Sequence, residues 1–438
     1  MSSLENTTQL AIELLKKQKI TDYEVSLGKS SGVSTKVRLS EVETLQYHLD
    51  TSFNVNVYIG KKKGHASSAD LGKESLIRAI ESSCLIAKYT QEDPFNGLAP
   101  KERLAWEVPE LDLYHFWDLD AKHSIDIAKE CEEAALQQPE IDNSDGAEIS
   151  SFEGESIYAN SNGLVARAKN TKHSLHCSLI AKREREMQTA YEYSVALDAG
   201  ELSPAKQVGM EAARLAQQKL GSQNLRPQKC PILFTPRQST GLFSQLLGAL
   251  SGSRQYKKTS FLLESQGHKV LPETISVFEN PLQVKTIGAR SFDQDGVKKR
   301  KQFFVEDGKV SSYIMGQYSA NQLGLESTAN AGGVSNCCIS PNYSGGFKEL
   351  IKDMDRGLIV TDLMGHGVNM TTGDYSRGAS GFWVESGEIK YPVSGITIAG
   401  NLKHMLANVV HVGDDIDPRS NIKVGATLIS EMTIAGEG

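Results

Sequence analysis

The segments SLHCSLIAK, residues 174–182, and TAYEYSVAL, residues 189–197, decide the fold class. Polar and apolar residues alternate in both, and in the second Tyr191, Tyr193 and Val195 fall on one face. A period of two belongs to a strand with one covered face, because successive side chains point to opposite sides. With GLVARAKNT, residues 163–171, they read as consecutive antiparallel strands. Upstream, STKVRLS (34–40) and NVNVYIG (54–60) show the same alternation. Helical spacing sets in elsewhere. TQLAIELLKKQKIT (8–21) places Ala11, Leu14 and Leu15 on one stripe, and 73–90 and 121–137 also read as helices. Ser203-Pro204 opens another, with serine as the expected cap and proline at the first helical position, and Gly221 closes it. EDPFNGLAP (92–100) is a turn-rich loop of the kind that joins elements or contacts a partner.

The chain then changes character. KCPILFTP (229–236) has a buried-strand pattern and leads into TGLFSQLLGALSGS (240–253), an apolar helix weakened by glycine. Leu242, Leu246, Leu247 and Leu250 form its apolar face. Beyond residue 262 strands and glycine-rich turns dominate, without a βαβ rhythm or an internal repeat. The expectation is an α+β protein of two domains. Residues 1–200 would pack helices on mixed or antiparallel strands, and 201–438 would form a strand-rich, glycine-rich domain.

Bulk properties narrow the function. At 438 residues the chain exceeds the length at which one core usually stops growing, roughly 250–300 residues. A net charge of -7 opposes non-specific nucleic-acid binding, which needs surplus Lys and Arg at the phosphates. The six cysteines, at 84, 131, 177, 230, 337 and 338, show no CxxC spacing and suggest a reduced compartment. MSSLENTTQLAIELL lacks a basic region before an apolar core, and nowhere do eighteen apolar residues run together. A cytoplasmic chain with no membrane span is expected.

Motifs for common chemistries fail on inspection. KKTS (257–260) has Tyr256 and Lys257 where a phosphate loop needs glycine before its lysine. Ser380, in GASG, lacks the nucleophile-elbow spacing. His173 and His176 fall on opposite faces of a strand and cannot readily share a metal. Asp293 and Asp295 begin like a calcium loop, but VKKRKQ supplies no later ligands, so a turn with Gly296 at positive φ is expected. Lys298 to Lys301 form a short basic run, either a partner contact or a solvated strand end. Adjacent Cys337 and Cys338 read as small core residues. His366, set between glycines, either approaches a ligand or hydrogen-bonds a loop carbonyl.

Longer strings point to a family. TDLMGHGVNMTTGDYSRGASGFWVESGEIKYPVSGITIAGNL (361–402) and VGDDIDPRSNIKVG (412–425) closely resemble the TldD/PmbA metallopeptidase family. So do RSFDQDGV (290–297), LESTANAGG (325–333), GALSGSRQYKKTSFLLESQG (248–267) and TKHSLHCSLIAK (171–182), in the family's order. The resemblance spans essentially the whole chain and is weakest over roughly its first 90 residues. In the family's TldD branch the central helix carries His-Glu-x-x-x-His, and a cysteine near the C-terminus completes the metal site. Fitting that pattern puts Ser244, Gln245 and Ala249 at the helix positions and Val424 at the cysteine. None replaces imidazole, a general base or a thiolate.

The resemblance therefore implies a chain without zinc or catalytic residues of its own. It would pair with a zinc-bearing TldD-like subunit, self-associate as a homodimer when alone, and help enclose unfolded or peptide substrates for proteolytic maturation or degradation. The glycine-dense segment 363–383 is the expected peptide cleft, with His366, Asn369 and Arg377 as candidate contacts. Two alternatives stay open: a regulatory protein of the gyrase-modulator type, and a metalloprotease active by itself.

Overall fold

The computed structural model describes residues 4–436. Its first half is built on six antiparallel strands in the order β3-β2-β1-β4-β5-β6. They are β1 (Asp22–Arg38), β2 (Glu41–Ile59), β3 (Lys62–Ser68), β4 (Ile141–Asn160), β5 (Val165–Arg183) and β6 (Glu186–Ala196). Four of them run 17 to 20 residues, several times the common five or six. That length lets one face of the sheet carry two helix pairs end to end. Helices α1 (Leu4–Lys16) and α2 (Lys73–Tyr89) cover Val25, Leu27, Phe53, Val55, Val57 and Ile157. Helices α3 (Ala121–Leu136) and α4 (Ala205–Gln217) cover Val33, Val37, Ala147, Ile149, Leu175 and Leu179. All these strand residues are odd-numbered, as a period of two requires.

The second half combines two sheets. In one, β7 (Gln228–Phe234), β12 (Gly357–Met364), β13 (Asp374–Glu385), β14 (Glu388–Asn401) and β17 (Thr427–Gly436) form a closed ring, because β17 pairs with both β7 and β14. β15 (Val409–Val412) extends it. The other sheet joins β8 (Val277–Glu279), β9 (Gln302–Glu306), β10 (Lys309–Val310), β11 (Cys337–Ile339) and β16 (Ile422–Lys423). Helix α5 (Pro236–Ala249) lies against β7, β12 and β16, while α6 (Gly252–Lys257), α7 (Gln317–Leu323), α8 (Phe347–Met354) and α9 (Leu402–Ala407) are short. The α+β architecture is the one expected.

Several local readings change. By its contacts α4 packs on α3, β5 and β6, so we place the division of the chain after this helix, in place of 200/201. Its cap position is Pro204 without a side-chain hydrogen bond, and the Ser203 N–H instead donates to Ser194 Oγ at 2.9 Å. The basic run lies only partly on the surface: Lys298, Arg300 and Lys301 are exposed, and Lys299 is not. Lys299 is buried and pairs at 2.9 Å with Glu279, whose carboxylate also accepts from Asn330 and Gln302. An extended run alternates sides, so its second lysine points inward. Lys301 lies over the ring of Phe278. The loop around Phe95 does make contact, but within the chain: Phe95 packs edge-on against Tyr256, and the Tyr318 hydroxyl donates to Asp93.

STKVRLS also ends earlier than its pattern suggests. Leu39 and Ser40 have φ of 50° and 63° and form the tight turn between β1 and β2, although neither is glycine or asparagine. The buried Glu132 carboxylate of α3 explains it, accepting both turn N–H groups at 2.9 and 2.8 Å. Glu132→Ala is expected to lower the unfolding free energy by about 2–4 kcal/mol, the scale of two buried charged hydrogen bonds. Adding Ser40→Gly recovers part of the loss, since glycine holds positive φ unaided. An unchanged urea midpoint in Glu132→Ala contradicts this role.

Candidate functional site

Helix α5 starts at Pro236, whose fixed φ suits the first helical position, and Thr235 precedes it without a side-chain cap. Leu242, Phe243, Leu246, Leu247 and Leu250 join the C-terminal core. Ser244 is exposed and Gln245 half-buried, while Ala249 is fully buried. Val424 directly follows β16, which α5 contacts, and it lies fully buried in the same apolar cluster as Ala249. A methyl and an isopropyl group hold no lone pair for a metal, and the neighbouring hydroxyl and amide are weak ligands. Among the described residues no group of three or more His, Cys, Asp or Glu is arranged to hold a metal ion. The donor set at this helix does not fit zinc.

Segment 363–383 reaches α5. A Cβ on Gly248 would lie 3.4 Å from Met370 Cε, and the Met370 carbonyl accepts from the Phe261 N–H at 2.7 Å. Asn369 builds the loop: its side-chain oxygen accepts the N–H groups of Thr371 and Thr372 at 2.9 and 3.2 Å. His366 is exposed, and its carbonyl accepts from the Val368 N–H. Arg377 is half-buried on β13 with a buried Nε that has no protein partner. His173 donates and accepts within the core instead, between Ser151 Oγ at 2.9 Å and the His115 carbonyl at 3.0 Å, and burial lowers its pKa. His176, on the other face, packs on Tyr191.

A cleft of about 450 Å³, missed in the sequence, opens where the first sheet meets the N-terminal end of α5. Glu192 of β6 is its hub. It pairs with Arg237 in the first turn of α5 at 2.8 Å, and with Arg419. Arg419 also grips Asp417 through two bonds of 2.9 and 2.8 Å. Burial pulls the Asp417 carboxyl upward, but Arg419 outweighs it and holds the pKa below the usual range. The guanidinium of Arg237 stands 4.9 and 5.0 Å from the ring centres of Tyr191 and Tyr193, and that of Arg419 4.4 Å from Tyr193. On the opposite wall Lys219 pairs with Asp362 at 2.9 Å. From Arg237 to Ser244 is roughly 10 Å along the helix axis, so cleft and helix site are neighbours. Only the tyrosine face was readable beforehand. Glu192, Arg237 and Arg419 are far apart in sequence, and no motif links them.

Matches to known proteins follow this architecture. The family model for the PmbA/TldA metallopeptidase C-terminal domain covers 227–436, that for the central domain covers 114–220, and that for domain 1 covers 23–87. These matches define a three-part metallopeptidase-class chain, with the middle part extending through α4. The chain belongs to the PmbA/TldD metallopeptidase family. It is 41% identical over 434 residues to a metalloprotease PmbA homolog of Haemophilus influenzae, spanning 99% of this chain and 96% of the relative. It is 40% identical to metalloprotease PmbA of Escherichia coli O157:H7, with the same coverage. A Bacteroides thetaiotaomicron protein described as a DNA gyrase modulator superimposes with a TM-score of 0.94 at 26% identity, over 100% of both chains. TldE from Thermococcus kodakarensis shares the fold, with a TM-score of 0.81 at 21% identity over 99% of this chain and 100% of its own.

Away from the cleft, the turn whose Val297 packs with Tyr158 and Leu164 carries a titrating pair. Asp293 accepts the N–H groups of Asp295, Val297 and Ala331, so these carboxylates serve the backbone and not a calcium ion. Gly296 has φ of 73°, as the turn reading required. Burial first, and then the charge of Asp293, push the Asp295 pKa up to about 7. A carboxyl raised above its unfolded value of about 3.9 contributes stability below that value, and loses it as pH rises through the folded pKa. Asp295→Asn is therefore expected to raise Tm relative to the parent more at pH 8 than at pH 5. A difference independent of pH contradicts it.

Proposed function

We infer that this chain is the metal-free partner subunit of a two-chain zinc metalloprotease, acting on peptides or unfolded segments. One observation carries the reading: Ala249 and Val424, at the positions where the family's metal-binding branch has ligands, are core residues without donor atoms. A hydrolase needs ligands, an open coordination position and a base for water. In this reading a TldD-like chain supplies zinc and general base, and this chain supplies shape and binding. Segment 363–383, packed on α5 at Gly248, would receive an extended peptide through main-chain hydrogen bonds, a mode that tolerates varied side chains. His366, Asn369 and Arg377 remain its candidate contacts, and exposed Ser244 and half-buried Gln245 the remnant of the helix site. The pairing would take place in the cytoplasm. Among the described residues no helix is long and apolar enough to cross a membrane.

Elemental analysis of protein purified without chelator tests the metal half of this reading. No stoichiometric zinc is expected. One equivalent of zinc, retained on dialysis and released by changing Ser244 and Gln245 to alanine, would overturn it.

A further inference from the structure

One charge in the C-terminal half has no counterion. On β13 Arg377 takes the face of Tyr375 and Ala379, which lie in the core cluster that holds α5. Across the strand pair it meets Ile398, a member of the same cluster. Arg377 is only half-buried, yet its Nε is enclosed without a hydrogen-bond partner, and among the described residues its guanidinium forms no ion pair. The polar group beside it is the Tyr375 hydroxyl. Burial pushes that phenol up to about 12, against the pull of the arginine's charge. Nearby carboxylates are committed elsewhere. Asp374 accepts from Thr372 Oγ1 at 2.7 Å and from Asn401 Nδ2 at 3.3 Å, and Asp362 pairs with Lys219. A guanidinium cannot shed its proton, so its partial burial keeps its cost until an anion arrives.

The loop before β13 runs back along this end of the strand. Val368 lies opposite Tyr375, and the Ser376 N–H donates to the Gly367 carbonyl at 2.7 Å. A Cβ at Gly367 would fall 1.7 Å from the Ser376 carbonyl oxygen, so the approach needs glycine. It brings exposed His366 level with Arg377 and carries Met370 on to α5 at Gly248. We propose, on the reading of 363–383 as the peptide cleft, that Arg377 and the Tyr375 hydroxyl anchor a carboxylate of the peptide, either its C-terminus or an Asp or Glu side chain. The donors select this group. One planar guanidinium offers a carboxylate two parallel N–H···O bonds, and the phenol O–H supplies a third. A phosphate group, with close to two charges, would be left half neutralised by a single cation. Main-chain pairing tolerates varied side chains, and one fixed charge beside it sets the direction and register in which the peptide lies.

Both groups of this anchor belong to one chain, so binding can be read without zinc and without a second subunit. Short N-acetylated peptides free of other acids are titrated calorimetrically into the protein: a free acid, its C-terminal amide, and that amide with one internal glutamate. At least one carboxylate peptide should bind about tenfold more tightly than the uncharged amide, the scale of charge-assisted hydrogen bonds. Which of the two gains tells terminus from side chain. Arg377→Met, which keeps an apolar stem, should abolish the preference and leave the affinity for the uncharged amide unchanged. Should that variant not fold, Arg377→Gln serves in its place. Tyr375→Phe should weaken the preference without removing it. Stoichiometric zinc on this chain would sink the metal-free reading without touching this preference, and equal affinities would leave that reading standing. Equal affinity for all three peptides, no binding by any of them, or a preference that survives loss of the guanidinium would each overturn the proposal.

Discussion

The packing of α5 into the C-terminal core constrains everything around it. Phe243, Leu246, Ala249 and Leu250 are fully buried, and Val424 sits in the same cluster. Interiors this dense tolerate little change of volume. An imidazole at 249 would have to displace core atoms of this chain, so the loss of ligands lies in its core packing and is more than a loss at the surface. The same packing sets the helix's first turn against the first sheet, where Arg237 reaches Glu192. One helix thus anchors the apolar core at one end and the charged cleft at the other.

The cleft shows how the two halves are held in register. Glu192 is bound from two directions by guanidinium groups that also lie over Tyr191 and Tyr193. Partly buried, planar and multiply bonded, these groups lose less to solvent than ordinary surface pairs. The length of the strands gives this contact its reach. Strands of 17 to 20 residues extend one sheet under two helix pairs, with β6 at the border facing the second half and the β2 edge at the other.

The amino-acid sequence carried the period-two strands, the main helices and the α+β class, because each depends on residues close together in the chain. It carried the family, and with it the four positions on and near α5, through long ordered strings. What it hid depends on contacts across the fold. STKVRLS gave no sign of a turn at Leu39 and Ser40, because the group that holds it, Glu132, comes 92 residues later. Lys299 looked solvated like its neighbours in 298–301 because its partner, Glu279, carries no local mark of burial. The hub of the cleft was invisible for the same reason: Arg419 is 227 residues from Glu192.

The account rests on a division of labour between two chains, and a peptide-cleavage assay on purified components measures it most directly. This chain alone, a TldD-like chain alone and their mixture should be compared at equal concentration on an unfolded substrate. The account predicts cleavage in the mixture only, abolished when the metal-binding histidines of the TldD-like chain are changed. Cleavage by this chain alone, or an equal rate from the TldD-like chain without it, would contradict the account.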